Sequence, residues 1–89
     1  MAKFSLSNKA IEDLGQIWNY TFDTWSEQQA DKYYRMLIET CGELAENASI
    51  GKNYDGVYAQ LLGFKSGRHI IFYRIVDSSS IVIIRILHE

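Results

Sequence analysis

Halfway along this chain the spacing of apolar residues changes period. Up to about Asn47 they recur at intervals of three and four. From Val57 to His88 they come in dense aliphatic and aromatic runs broken by short polar turns. The first period lines up side chains on one stripe of an α-helix, and the second belongs to strands. A helical half and a strand half can each bury an apolar face only by lying on one another. The class expected is therefore α+β, in the order β-α-α-β-β-β, with a helical hairpin packed on one side of an antiparallel sheet.

The elements follow from local signals. Lys3 to Leu6 alternates like a short strand. Ser7 or Asn8 offers an N-cap for a helix whose apolar stripe is Ile11, Leu14, Trp18, Phe22 and Trp25. The helix is expected to break near Thr24-Trp25. Ser26 then opens a second helix, with the stripe Ala30, Tyr34, Leu37, Cys41, Leu44 and Ala48, running to about Asn47. Ala48 to Gly56 reads as a loop. Val57 to Phe64, Arg68 to Val76 and Ile81 to His88 read as three strands joined by turns at Lys65-Ser66-Gly67 and Asp77 to Ser80.

Composition limits the function classes. At 89 residues, 47% of them hydrophobic and 22% charged, the chain has the size and makeup of one globular domain spanning residues 1–89. Its single cysteine cannot make an internal disulfide, which points to a reducing compartment. No signal-peptide run and no membrane-length apolar stretch is present, so a cytoplasmic protein is expected. A net charge of −2 argues against general nucleic-acid binding. The charge is nonetheless uneven: residues 1–47 carry an acidic excess of four, and residues 48–89 a basic excess of two. That asymmetry suggests a polar partner on the C-terminal side, or only the chance segregation of a small domain.

Recognisable catalytic chemistry is absent from the sequence. There is no phosphate-binding glycine loop, nucleophile elbow or zinc-ligand spacing, so no cofactor or metal is expected. Cys41 lies on a core stripe and should be an inert buried thiol. The tyrosines and tryptophans fall mostly on predicted core stripes, with Tyr20, Tyr54 and Tyr58 the least fixed. The cations of the last strands stand out. Alternation places Arg68 and Arg74 on one strand face with Ile70, Phe72 and Val76, and His69 on the other with Ile71, Tyr73 and Ile75. It places Arg85 with Ile81, Ile83 and Leu87. An arginine in an apolar strand must find a partner or the sheet rim. The three could grip phosphates or carboxylates in pairs of bonds, or they could simply pair with helix carboxylates or reach water. His88 has a suitable pKa for proton transfer, or is merely an exposed residue near a terminus.

The stretch Gly67-Arg68-His69-Ile70-Ile71-Phe72-Tyr73-Arg74, with Ile83-Ile84-Arg85-Ile86-Leu87-His88, resembles the ParE toxins of bacterial toxin–antitoxin systems. In the first half, Leu6-Ser7, Ala10, Asp13-Leu14, Ile17 to Tyr20, Trp25, Gln29-Ala30, Tyr33 and Leu37 match the same pattern. The likeness spans nearly the whole chain and implies the fold of the wider RelE/ParE superfamily. It also implies a toxin held by a ParD-like antitoxin, acting on DNA gyrase by protein contact and not as an enzyme. The surface expected to work is Lys65, Arg68, Arg74, Arg85 and His88. Three departures stand against the pattern. Ala48 replaces a frequent proline, and Phe64-Lys65 replaces an arginine-serine pair. The chain also ends at Glu89, where many relatives continue into a short tail tied to toxicity, so a weakened toxin is expected. Two alternatives remain: a RelE-like ribosome-dependent ribonuclease, in which Arg68, Arg74 and Arg85 hold phosphate and His88 moves the proton, and a non-toxic remnant that only binds antitoxin.

Overall fold

A computed structural model describes residues 2–89. The elements are β1 (Lys3–Leu6), α1 (Asn8–Thr24), α2 (Glu27–Glu46), a 3-10 turn (Ala48–Ile50), β2 (Lys52–Asn53), β3 (Leu62–Ser66), β4 (His69–Asp77) and β5 (Ser80–His88). Both helices begin where the sequence indicates. The Ser7 hydroxyl accepts from the Ala10 N–H at 3.0 Å and the Ser26 hydroxyl from the Gln29 N–H at 3.1 Å, each satisfying a donor that the first helical turn leaves free.

The α+β class and the helical hairpin over one sheet face hold. The sheet itself is larger and mixed, with strand order β1-β5-β4-β3-β2. β3, β4 and β5 form the expected antiparallel meander, but β1 runs parallel to β5. Parallel neighbours need a long connection, and here it contains the helical hairpin and the strands β2 to β4. Within the expected Ala48–Gly56 loop, Lys52 and Asn53 pair with Gly63 and Leu62 as a fifth strand. The expected strand at Val57 begins only at Leu62. Residues 54–61 instead form a closed turn. The Val57 and Tyr58 N–H groups donate to the Tyr54 carbonyl, and the Gln60 N–H donates to Asp55 Oδ1 at 2.8 Å. Aromatic content suggested a strand there, but the Asn53 and Asp55 carboxamide and carboxylate give the backbone local partners that outweigh it.

The core is one cluster built from Ala10, Leu14, Leu37, Cys41, Leu44, Ile71, Tyr73, Ile81, Ile83 and Ile86, with Phe4, Leu6, Ile17, Tyr33, Leu62 and Phe64 packed around it. Tyr73 is the largest fully buried side chain. Its hydroxyl donates to the Ala48 carbonyl at 2.6 Å and accepts the Gly51 N–H at 3.0 Å, tying the 3-10 turn to the sheet.

The face of α1 differs from the expected one. Of the expected stripe Leu14 is buried and Trp18 half-buried, but Ile11, Phe22 and Trp25 are exposed, and the inward row is Ala10, Leu14 and Thr21, with Ile17 half-buried and Asp13 beside it. Two apolar rows run side by side on this helix. The helix packs against β5 through the row of smaller residues, which permits close approach, and the bulky row is left outside. Likewise Tyr34 is exposed and Tyr33 half-buried, and Ala48 lies beyond the end of α2. The expectation that most aromatic residues are core therefore fails: Tyr20, Tyr34, Tyr58 and Trp25 are exposed, and Tyr73 is the fully buried one. Trp18 instead stacks on Phe22, with centroids 5.2 Å apart, and donates to Asp31 Oδ1 at 2.9 Å, pinning α1 to α2. Among the described residues no helix is long and apolar enough to cross a membrane.

Candidate functional site

The sheet has a helix-covered face and an open face, and the cations of interest divide between them and the rim. On β4, Ile71 and Tyr73 go under the helices, while Ile70, Phe72 and Arg74 stay half-buried on the other side. Arg74 lays its guanidinium 4.3 Å from the centre of the Tyr58 ring. Tyr54 meets Phe72 edge-on at 5.2 Å. The closed turn 54–61 thus caps part of the open face. Gly63 makes room for it, since a Cβ there would lie 2.6 Å from the Tyr54 ring. Arg74 Nε is buried without a hydrogen-bond partner.

Arg85 does not share a face with Ile81 and Ile83. Phe72 pairs with Arg85 but Tyr73 with Ile83, so Ile84 is an extra residue in β5. This bulge reverses the alternation and turns Ile86 inward in place of Arg85. Arg85 reaches the rim beyond the end of β1 and grips Asp13 with two bonds, Nε to Oδ2 at 2.8 Å and Nη2 to Oδ1 at 3.0 Å. Asp13 Oδ2 also accepts the Ile86 N–H at 3.0 Å, and the Ser7 hydroxyl donates to the Ile84 carbonyl at 2.7 Å. Side chains from the start of α1 therefore close the β5 edge that β1 leaves open. Burial works to raise the Asp13 pKa, but the bond from Arg85, the Ile86 N–H and the positive charges of Arg85 and Lys9 outweigh it and hold the carboxyl below 3.8.

Arg68 and the two histidines gather around the β3–β4 turn, beside the stretch of α1 that follows Asp13. Gly67 and Arg68 form the β3–β4 turn, so Arg68 lies at the rim and not on the strand face expected for it. Gly67 adopts φ +60, and a Cβ there would lie 2.7 Å from the Tyr33 hydroxyl. That hydroxyl accepts the Arg68 N–H at 2.9 Å and lies 2.6 Å from His69 Nδ1. His69 faces His88 across the strands, with ring centroids 5.2 Å apart and planes at 81°. Burial, and then the neighbouring His88, push the His69 pKa below 6.5, with Asp13 opposing weakly. Together with Gln16, Ile17, Tyr20, Thr21, Trp25 and Gln29, these residues line a cleft of about 660 Å³. Trp25 and Tyr20 stand 74% and 68% exposed at its edge, a large apolar surface for a chain of this size. Lys65 is exposed nearby and pairs with Glu89 at 3.0 Å.

Of the five residues singled out by sequence, the fold brings Arg68 and His88 into the cleft and leaves Lys65 on the surface. It ties Arg85 to Asp13 and sends Arg74 to the open face. Tyr33, His69, Tyr20 and Trp25 are the lining residues that sequence reasoning passed over. Two of them carried a readable signal: Tyr20 is among the aromatics least fixed to the core stripes, and pairing counted back from the Asp77–Ser80 turn sets His69 opposite His88.

Comparison with known proteins agrees with this architecture. Residues 4–89 match the family described as "ParE toxin of type II toxin-antitoxin system, parDE". Toxin ParE1 of Caulobacter vibrioides is 35% identical over 89 residues, covering 100% of this chain and 91% of that protein. Toxin ParE1 of Mycobacterium tuberculosis is 32% identical over 88 residues, covering 99% and 90%. Among solved structures, a chain of the chromosomal ParDE system from P. aeruginosa superposes with a TM-score of 0.81 at 19% identity, covering 99% of this chain and 96% of that one. A chain of the toxin–antitoxin complex RelBE2 from Mycobacterium tuberculosis superposes with a TM-score of 0.75 at 20% identity, covering 99% and 98%. On sequence and fold together, this chain belongs to the ParE family of type II toxin–antitoxin toxins.

Proposed function

We propose that residues 1–89 form one toxin domain that acts in the cytoplasm on DNA gyrase by protein contact, without catalysis, and is neutralised by a ParD-like antitoxin. The observation that carries this reading is the cleft edge. Trp25 and Tyr20 present exposed aromatic surface beside the cationic Arg68, which suits a protein segment bearing apolar and acidic side chains. Because Ser7 and Asp13 close the far edge of β5, an antitoxin helix laid into the cleft fits better than a strand added to that edge. The dispersal of Arg68, Arg74 and Arg85 to three separate places supports contact over phosphate chemistry, since a phosphate clamp needs its cations convergent. An in vitro supercoiling assay tests the reading. Purified protein in stoichiometric excess should inhibit gyrase, and uninhibited supercoiling would refute it.

A second reading keeps one observation in its favour. Arg68, His69, His88 and Tyr33 share a cleft, so a RelE-like ribonuclease could work with these groups and without Arg74 and Arg85. It predicts cut messages on induction and intact ones with His88→Ala. A non-toxic remnant would bind antitoxin yet leave growth unaffected when expressed alone.

A further inference from the structure

The mouth of the cleft holds a pair of side chains that the protein-contact reading leaves unused. His69 and His88 are direct cross-strand partners at the ends of β4 and β5. Each ring has its Nδ1 engaged, His69 by the Tyr33 hydroxyl at 2.6 Å and His88 by the main-chain oxygen of Glu89 at 2.9 Å. Nε2 is then the nitrogen each ring has left for an outside ligand. The spacing fits a shared ligand. With metal–nitrogen bonds of about 2.1 Å, two imidazoles at a tetrahedral angle on one ion have ring centres roughly 5 Å apart. The two rings here are already 5.2 Å apart, with planes at 81°.

We propose that His69 and His88 together bind one borderline divalent cation, Zn²⁺, Ni²⁺ or Cu²⁺, through their Nε2 atoms, with water completing the coordination. Among the described residues no third His, Cys, Asp or Glu stands with them in a group placed to hold a metal, so the protein supplies two ligands. A ligand set of two neutral nitrogens selects imidazole-binding ions over Mg²⁺ and Ca²⁺, which require oxygen donors. Tyr33 acts as a positioning residue. Its oxygen has two lone pairs, one for the Arg68 N–H and one for a His69 Nδ1–H, so it can fix the tautomer that leaves Nε2 free. An ion bound here fastens the last residues of β5 to the start of β4, beside the β3–β4 turn.

The test uses the untagged full chain, titrated calorimetrically with NiCl₂, ZnCl₂ and MgCl₂ at neutral pH, with Cu²⁺ paramagnetic resonance as a second readout. The expected result is one Ni²⁺ or Zn²⁺ per chain, no binding of Mg²⁺, and a Cu²⁺ spectrum with two nitrogen donors. His69→Gln and His88→Gln should each weaken binding by about tenfold or more, and Tyr33→Phe by about tenfold, the range typical of second-shell loss. His88 is exposed at the end of its strand, so H88Q should keep the wild-type circular dichroism spectrum. Unchanged ion affinity in folded H88Q, or no binding by the wild type at millimolar metal, would overturn the proposal.

Discussion

Asp13 shows how much one side chain can carry. It answers two arginine donors and one backbone N–H, and all three lose their partner if it goes. Asp13→Ala should therefore lower unfolding free energy by about 2–3 kcal/mol, measured by urea denaturation at pH 7. The pH dependence follows from the direction of its shift. Its folded pKa lies below 3.8, so its contribution is fully present above about pH 4 and fades as pH falls through the folded value. The wild type should lose more stability than the variant between pH 5 and pH 2, in urea titrations at each pH. Tyr73 is a second such residue, with its hydroxyl buried between Ala48 and Gly51. Tyr73→Phe should cost about 1–2 kcal/mol, because it orphans a carbonyl and an N–H at once, and the same denaturation would read it.

At the scale of elements, the turn that holds Gly67 governs the cleft. Gly67→Ala would force a side chain into positive φ and against the Tyr33 hydroxyl. The expected outcome is a loss of about 1–2 kcal/mol, with the His69 imidazole resonances shifting in an NMR spectrum as its Tyr33 contact is disturbed. What the sequence made legible lay mostly at this scale. Ser7 and Ser26 mark the helix starts because capping is a local bond, and the last two strands stand out because their Ile and Val content is dense. The choice between the two rows on α1 was not legible, since it depends on how closely β5 approaches. Nor were the places where pairing slips. Ile84 is one extra residue in β5, and a second irregularity between Ile75 and Asp77 restores the register. The two offset one another, so counting from the turn pairs His69 with His88 and Phe72 with Arg85 correctly, whereas plain alternation from Ile81 and Ile83 assigns Arg85 to the wrong face. The cleft itself was invisible, because Tyr33, Trp25 and Arg68 meet only when α2, the hairpin bend and the β3–β4 turn converge.

For the whole molecule, the division of labour runs along its length. The first turns of α1 are locked to the sheet rim by Asp13 and Arg85; from Gln16 onward the hairpin opens into the aromatic cleft. If the cleft is where an antitoxin sits, Trp25→Ala combined with Arg68→Glu should weaken antitoxin binding by about 100-fold or more in a calorimetric titration. Thermal stability should barely change, since both residues are exposed. Deep in the core lies the single thiol, Cys41, fully buried and with its pKa pushed by burial up to about 12. A thiol that cannot ionise at neutral pH or meet solvent reacts only while the molecule is open. The chain thus contains its own reporter of breathing. The rate at which a sulfhydryl reagent modifies the native protein measures how often the helices lift from the sheet, and a bound partner that clamps them down should slow that clock.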